Sequence, residues 1–343
     1  MKTERLLERL ARVRRQEATP ATMNLITRQG SAQDLARCKV LHCSLRLPYP
    51  EGCSRALVEM WRALLSNWAM QISLVEDRAK PLASRIVSFS ATVFATDEFC
   101  CEARSTLAPY LCVQVARRFL SHKLPVMNRK QVARANARKG LNAIMCFGGC
   151  EADGLSSDQI LAVREKQSEA FRLDLSGYRI KEFLADTIGE EAAQWMLDSG
   201  AHLRRDYSRY FEKQDSPTPE ASQRPWLVGL TKTEALANPG SYLSSFFVYT
   251  PPRFHFSHSE QLLLQHALVG ETSDELAKSL LVSPWTVKKR WHAIYERVAN
   301  VDRELLPPLV ANGPHVASRG AERRRHLLHY LRQHLEELRP WRQ

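Results

Sequence analysis

Residues 256–298 read FSHSEQLLLQHALVGETSDELAKSLLVSPWTVKKRWHAIYERV, and this stretch decides the fold of the C-terminal part of the chain. Capping boxes of the form S/T-x-x-E begin at Ser257 and Thr272, and each predicts the first turn of a helix. Ser283-Pro284 predicts a third helix start, because serine caps the first turn and proline fits the first helical position. Gly270 suits the left-handed residue that ends the first helix. Too few residues separate the second and third helices for anything but a tight turn, so the stretch predicts a helix-turn-helix.

The apolar residues of the third helix repeat at the spacing of a buried face, at Val287, Trp291, Ile294 and Val298. Its opposite face carries polar and cationic side chains, at Trp285, Lys288, Lys289 and His292, with Arg290 on the flank. Cations and hydrogen-bond donors near a helix N-terminus suit the major groove of DNA. The alternative is an ordinary three-helix core with a solvated basic face.

The same stretch resembles the LuxR-type (NarL/FixJ-like) DNA-binding domain of bacterial transcriptional regulators. It agrees with that family's pattern in unbroken register, identically or conservatively, at Phe256, Ser257, Glu260, Leu263, Leu264, Gly270, Thr272, Glu275, Leu276, Ala277, Leu280, Val282, Ser283, Thr286, Val287 and Lys288. It departs from the pattern at Ser259, Leu262, His266, Leu268, Asp274 and Arg290. The resemblance implies a helix that enters double-stranded DNA from Pro284. Its implied DNA contacts are Trp285, Thr286, Lys288, Lys289, Arg290 and His292.

The composition favours an acidic partner, because the 343-residue chain has a formal charge of +12. Nucleic acid comes first among such partners and an anionic membrane surface second. The longest apolar run, near Ile86–Ala95, is too short for a membrane span, and the N-terminus has no apolar core typical of a signal peptide. A cytoplasmic protein without a membrane partner is expected. The eight cysteines form no C-x-x-C pair, which indicates reduced structural thiols and no metal site.

The N-terminal part alternates predicted strands and helices, which indicates an α/β sensor domain with a mixed sheet and flanking helices. Strands are predicted at residues 25–27, 71–76, 85–96, 141–147 and 242–249. Helices are predicted at residues 31–41, 55–67, 111–121, 129–137, 157–171, 178–187 and 190–197. The predicted domains are a helical extension (1–22), a regulatory α/β domain (23–249), the all-α helix-turn-helix domain (250–300) and a helical tail (301–343).

Two segments of the α/β part resemble the acyl-CoA N-acyltransferase (GNAT) fold. TRQGSAQDL at 27–35 looks like its first strand and helix, and SLVEDRAKPLASRIVSFSATVF at 73–94 looks like its second and third strands. That family cradles the cofactor diphosphate on backbone amides of a glycine-rich loop that opens a helix. The nearest equivalent here, residues 175–181, keeps one glycine and places Ile180 and Lys181 where small residues are needed. The resemblance therefore implies a degenerate acyltransferase fold.

Other candidate sites are weaker. His255/His258 and His326/His329 have a spacing that metals use, but neither pair has a third ligand nearby. Acid–base candidates are Glu151, Asp153, Tyr207 and Tyr210, without a legible nucleophile–base pair. The C-terminal residues Leu328, Leu331, Leu335 and Leu338 form an apolar stripe, which serves either a dimer or packing on the sensor domain.

These patterns favour a non-enzymatic transcriptional regulator of the LuxR type. A dimer would read two half-sites of its operator, and an unknown small-molecule effector would act on the sensor domain. No catalytic residue, cofactor or metal is expected. The alternatives are an N-acyltransferase that uses acyl-CoA and carries a nucleic-acid-tethering C-terminal module, and an adaptor that binds another protein through its C-terminal leucine helix.

Overall fold

The structure is a computed structural model that describes residues 23–214, 217–307 and 316–341, without the side chains of residues 316–319. The expected helical extension at residues 1–22 lies outside the described residues. The described chain forms a mixed α/β part, followed by a group of helices. The domain boundaries themselves remain a prediction.

Seven strands form one sheet in the order β1-β2-β3-β4-β5-β7-β6. Their bounds are Leu25–Gln29 (β1), Met70–Asp77 (β2), Ile86–Ala95 (β3), Leu141–Cys150 (β4), Ile180–Ile188 (β5), His202–Arg205 (β6) and Pro225–Thr231 (β7). All neighbouring strands pair antiparallel except β4 and β5, which are parallel. β2 and β3 form the adjacent antiparallel pair that the sequence predicts for residues 73–94.

Nine helices accompany the sheet within the described residues up to 249. They are Leu35–Cys43 (α1), Cys53–Ser66 (α2), Asp97–Ser105 (α3), Leu111–Leu120 (α4), Arg129–Ala137 (α5), Ser157–Leu175 (α6), Glu190–Asp198 (α7), Ser208–Lys213 (α8) and Lys232–Ala237 (α9). Helices α3 to α5 stand between β3 and β4. The core on one face contains buried residues of α1 to α4, and the core on the other contains those of α5, α6, α7 and α9.

Neighbouring residues of one strand belong to different cores, as a pleated strand requires. In β5, Phe183 lies in the core of α6 and α7, whereas Leu184 lies in the core of α1 to α4. The same alternation separates Ala143 from Ile144 in β4. The central strands are therefore covered on both faces, which removes the polar–apolar alternation that marks a half-buried strand in sequence.

That loss of alternation explains where the sequence-based prediction fails. Residues 178–187 were predicted to be a helix, but they form β5. Its sequence, IKEFLADTI, is buried along almost its whole length and shows no period-2 pattern. A strand predicted at residues 242–249 is instead a 3₁₀ turn at Leu243–Phe247. Strands β6 and β7 and helices α3, α8 and α9 were not predicted.

Beyond their parallel pairing, β4 and β5 separate. The last register pair between them joins Met145 to Ala185. β4 continues to Cys150 on its ladder with β3, and β5 continues to Ile188 on its ladder with β7. We call the space between Cys146–Cys150 of β4 and Asp186–Ile188 of β5 the β4/β5 gap. Ligands of open α/β sheets bind where the carboxyl ends of neighbouring strands diverge, so this gap is the first place to look for a site.

The C-terminal helices are His258–Leu268 (α10), Ser273–Ser279 (α11), Pro284–Val301 (α12) and Val316–Gln333 (α13). The first two begin in complete capping boxes at Ser257 and Thr272, and Ser283 caps α12, as predicted. Gly270 has a φ of +95°, the left-handed conformation expected after α10. The helix positions of the predicted helix-turn-helix are therefore present.

The C-terminal leucine stripe packs within the chain. Leu328, Leu331 and Leu338 are buried in one core with residues of α10 and α12, and Leu335 packs against that core at its edge. The stripe thus packs inside the chain, but against α10 and α12 and not against the sensor-domain cores where the sequence-based hypothesis placed it.

Candidate functional site

Asp186 lies at the edge of the β4/β5 gap, one residue beyond the last parallel pair. Its Oδ2 accepts a hydrogen bond of 2.6 Å from the backbone N–H of Leu111, and the N–H of Cys112 also donates to the carboxylate. The residue thereby caps α4 from another element. Burial outweighs these two bonds and raises the pKa of Asp186 to about 7. Oδ1 has no hydrogen-bond partner among the described residues, so one buried oxygen is available to a ligand.

Tyr207 places a second unsatisfied polar atom near Asp186. Its hydroxyl is buried and has no partner within the described chain. Burial, and then the nearby Asp186 carboxylate, raise the pKa of this hydroxyl, so it keeps its proton. Arg205 stacks over the ring of Tyr207. Its guanidinium carbon lies 4.5 Å from the ring centroid, and this contact fixes the ring. Two unpaired buried polar atoms within one cluster indicate a missing partner.

His42 and Tyr49 form the inner wall of this cluster. His42 Nδ1 lies 2.8 Å from the carbonyl oxygen of Gly148 in β4, and Nε2 lies 2.6 Å from the hydroxyl of Tyr49. A carbonyl can only accept, so Nδ1 carries the proton and Nε2 accepts from Tyr49. Burial lowers the pKa of His42, which keeps the ring neutral. A side chain of α1 therefore holds the Gly148 carbonyl of β4.

Cys112 and Cys146 lie in the same buried cluster and both are neutral thiols. Cys112 sits in the first turn of α4, where a helix dipole would favour a thiolate. Burial, followed by the charge of Asp186, instead raises its pKa. Burial also raises the pKa of Cys146 well above its ordinary value. Neither sulfur has the properties of an activated nucleophile.

The turn between β4 and α6, residues 151–156, follows the carboxyl end of β4 and borders the β4/β5 gap. The N–H groups of Glu151, Leu155 and Ser156 already donate to Val87, Ala152 and Gln159. Gly154 is left-handed, and a Cβ there would meet nothing within 4 Å, so the space beside this glycine is open. The turn also carries the carboxylates of Glu151 and Asp153.

The segment 175–181, expected to be the nearest equivalent of the glycine-rich loop, is a turn between α6 and β5 and opens no helix. A Cβ on Gly177 would stand 2.3 Å from the Cα of Glu336. The C-terminal segment therefore occupies the space beside Gly177. That residues 175–181 cannot cradle a cofactor stays a prediction.

The predicted DNA-contact residues lie apart from the gap, on the outer face of α12. Trp285 is 68% exposed, and the Nζ of Lys289 lies 5.3 Å from its ring centroid. Lys288 and His292 are exposed, whereas Thr286 and Arg290 are half-buried. The hydroxyl of Thr286 lies 2.9 Å from that of its cap, Ser283. Their role as contacts remains a prediction.

No group of three or more metal-ligating side chains comes together in the described ranges. Nor does any described helix combine the length and apolar content that a bilayer crossing requires. The candidate histidine pairs thus gain no third ligand within the part of the chain that the structure shows.

No protein-family model matches the chain, and no curated protein matches it by sequence. Solved structures do. The C-terminal condensation domain of Ebony in complex with beta-alanyl-dopamine is 12% identical, with a TM-score of 0.39, over 61% of this chain and 100% of that one. Spermidine N-acetyltransferase from Vibrio cholerae in complex with CoA and spermine is 10% identical, with a TM-score of 0.34, over 62% and 98%. Polyamine N-acetyltransferase from Drosophila melanogaster is 14% identical, with a TM-score of 0.35, over 61% and 100%.

At such low identity the likeness concerns the fold alone. With TM-scores below 0.5, these likenesses assign no family to this chain; its own strand order and helices define a mixed sheet with flanking helices. The classification of the C-terminal helices as a LuxR-type domain gains no support from these comparisons.

Two expectations from the sequence are wrong in view of these structures. The chain was expected not to be an enzyme, but many of the similar structures are acetyltransferases. Its expected partner was double-stranded DNA, whereas the similar structures contain CoA, acetyl-CoA or a polyamine. The physical reason for the error is that the clearest local motif lies outside the α/β part, where these similarities are found.

The predicted acid–base candidates were Glu151, Asp153, Tyr207 and Tyr210, of which Tyr210 packs at the edge of a core, whereas Asp186, His42 and Tyr49 were not predicted. The structure brings Tyr207 to the gap with Asp186 and leaves Glu151 and Asp153 in the turn after β4. One signal could have found Asp186: an acidic residue interrupts the apolar run FLA near the end of a buried strand.

Proposed function

We propose that the α/β domain is an enzyme that transfers an acyl group from a thioester to an amine in the β4/β5 gap. The observation that carries this proposal is the pair of buried, unpartnered polar atoms, Asp186 Oδ1 and Tyr207 Oη, at the point where β4 and β5 part. The carboxylate oxygen suits a positively charged group, and the tyrosine hydroxyl suits a polarised group next to it.

Asp186 suits the acceptor amine. A carboxylate with a free buried oxygen pairs with an ammonium group, which restores the partner that the site lacks. Because burial raises its pKa to about 7, the same carboxylate can take the proton that the ammonium must lose before it attacks.

Once deprotonated by Asp186, the amine nitrogen attacks the thioester carbonyl. The carbon–nitrogen bond forms, the carbon–sulfur bond breaks, and the hydroxyl of Tyr207 donates its proton to the departing sulfur. The tyrosine then takes the second proton of the nitrogen, so the products are a thiol and a neutral amide, and Asp186 releases the first proton to solvent. Cys112 stays a thiol, because its pKa is raised, so the transfer is direct and no acyl-cysteine forms.

The test measures amide product by mass spectrometry, with acetyl thioesters as donors and spermidine or agmatine as acceptors. Asp186→Asn keeps the shape of the side chain but cannot take the proton, so we expect kcat to fall about 100-fold. Cys112→Ala should retain most of the activity. Asp158→Asn removes an exposed carboxylate from α6 and serves as the control. An Asp186→Asn variant as active as the parent chain, or no product with any pair, would refute the proposal.

For the outer face of α12 we propose a separate role as a contact surface for an anionic partner. The face combines a Trp that is 68% exposed with the cations of Lys288 and Lys289. The salt concentration that elutes the chain from a heparin column should be lower for the double variant Lys288→Ala/Lys289→Ala than for the parent chain. The matched control Lys166→Ala/Lys232→Ala removes the same charge from the α/β domain. Equal losses in both double variants would show that only the net charge matters.

A further inference from the structure

We infer that the acceptor is an amino acid, an amine with a carboxylate of its own that Arg205 binds while Asp186 binds the ammonium group. This inference rests on the proposed acyl transfer and names the acceptor class for the same site. The observation behind it is that a carboxylate with a free oxygen and an arginine without a carboxylate partner, both among the described residues, lie on one face of the sheet.

The register of the sheet places Asp186 and Arg205 in one line across β5, β7 and β6. Leu227 of β7 pairs with Asp186 on one side and with Arg205 on the other. Both side chains bond to the same stretch of backbone, since Asp186 accepts from the N–H of Leu111 and Arg205 donates to the carbonyl of Leu107. Two strand spacings put their Cα atoms roughly 9–10 Å apart. The two charges therefore lie within the span of one small molecule.

The cation of Arg205 bonds only to neutral acceptors within the described chain. Its Nη1 lies 3.2 Å from the carbonyl oxygen of Ala103 and 2.6 Å from that of Leu107, and its other N–H groups have no described acceptor. The preceding arginine, Arg204, pairs instead with Glu234. Arg205 is half-buried, so its remaining N–H groups can reach a ligand. A guanidinium with free N–H groups suits a carboxylate, because its fork matches the two oxygens.

Tyr207 connects the two charged groups. The guanidinium carbon of Arg205 lies 4.5 Å from its ring centroid, whereas burial, and after it the charge of Asp186, raise the pKa of its hydroxyl. Burial and then the same carboxylate also raise the pKa of Tyr110, a half-buried residue at the end of the loop between α3 and α4. An amino acid would therefore lie beside Tyr207, with its ammonium group towards the hydroxyl and its carboxylate towards Arg205.

The same arrangement disfavours a second ammonium group on the acceptor. Such a group would meet the Arg205 cation at short range and be repelled. Asp206, the next residue, does not neutralise Arg205. Its two oxygens accept from the N–H and the hydroxyl of Ser208 at 3.1 and 3.0 Å, and Arg224 lies 3.9 Å from it. One cation thus attracts an amino acid and disfavours a polyamine.

The experiment compares amino acids with their own amides as acceptors of the full chain, with acetyl-CoA and acetyl-pantetheine each tried as donor. The acceptors are glycine, β-alanine and γ-aminobutyrate, their three amides, and spermidine. Each amide keeps the shape of its acid and removes the negative charge. We expect the best acid to exceed its amide and spermidine about tenfold in kcat/KM, because only the acid makes a charge-assisted pair with Arg205.

Two outcomes separate this inference from the proposed function. Product from amines, with no acid better than its amide, would overturn the amino-acid acceptor and leave acyl transfer standing. No product from any acceptor with either donor would overturn both proposals.

Variants of Arg205 distinguish carboxylate recognition from a structural role. Arg205→Gln should lower the acid-to-amide ratio of kcat/KM about tenfold. A purely structural role would reduce turnover of both acceptors alike and leave that ratio unchanged, and this result would contradict the inference. Arg205→Lys keeps the charge and should keep a preference for the acid. Arg209→Gln removes an exposed arginine of α8 and should leave the ratio at the value of the parent chain.

Discussion

At the scale of single residues, Asp186 holds α4 with one carboxylate oxygen and leaves the other without a described partner. In a residue with both tasks, a change that favours stability can reduce function. The carboxylate form is needed to accept a proton from an amine, whereas the buried setting favours the neutral acid. The raised pKa of Asp186 results from this burial.

The raised pKa of Asp186 predicts how stability depends on pH. The unfolded carboxyl titrates near 4 and the folded one at about 7, so the stabilisation is complete below pH 4 and is lost as pH rises to 7. The difference in unfolding free energy between the parent chain and Asp186→Asn should fall by about 1.4 kcal/mol per pH unit in that window. Urea denaturation at pH 5, 6, 7 and 8 measures it. A difference that stays constant from pH 5 to 7 would show that Asp186 is ionised in the folded chain.

Tyr49 gives a second prediction at this scale. Its hydroxyl is the partner of His42 Nε2, so Tyr49→Phe leaves a buried nitrogen unpaired at a cost of about 1–3 kcal/mol. Tyr210→Phe, which alters a partly buried tyrosine of the same core, is the control. Equal stabilities of the two variants in urea denaturation would count against the hydrogen bond and the assigned tautomer.

At the scale of elements, the sequence predicts what local chemistry determines. α5 was predicted at residues 129–137 and forms there, because Asn128 and Gln131 make a complete capping box. The starts of α10, α11 and α12 follow from their caps in the same way. β5 could not be predicted, since its burial on both faces depends on the helices that cover it.

The candidate site could not be predicted from the sequence for a similar reason. The β4/β5 gap arises where two ladders diverge, and the residues around it come from positions 42, 49, 112, 186 and 207. No local pattern joins such distant positions. The α12 face, in contrast, could be predicted because one helix carries all of it, and its role stays a prediction.

At the scale of the whole molecule, Arg339 joins the C-terminal segment to the α/β part. It is fully buried, and its guanidinium donates to the carbonyls of Ser176, Leu173 and Asp174 at 2.9, 3.2 and 2.8 Å. These carbonyls belong to the end of α6, which the cation caps. Glu337 meanwhile accepts from the N–H groups of Arg253 and Phe254, ahead of α10. One short segment therefore ties the helices to the sheet.

This arrangement predicts coupled unfolding of the two parts. Arg339→Met should destabilise the chain by about 3–5 kcal/mol, because it leaves buried acceptors without their cation. It should also split one urea transition into two, as the helical part loses its attachment. Arg332→Met, which changes an exposed arginine of α13, is the control. A single transition at the parent midpoint in Arg339→Met would mean that the segment does not couple the parts.

The central claim is that the β4/β5 gap is where a thioester and an amine meet. The most direct test is a crystal structure of the full chain with an inert thioether analogue of acetyl-pantetheine and spermidine. We predict density for the analogue along Cys146–Cys150 of β4, with an amine nitrogen within hydrogen-bond distance of Asp186 Oδ1. Ligand bound elsewhere, with Asp186 and Tyr207 still unpartnered, would contradict the account.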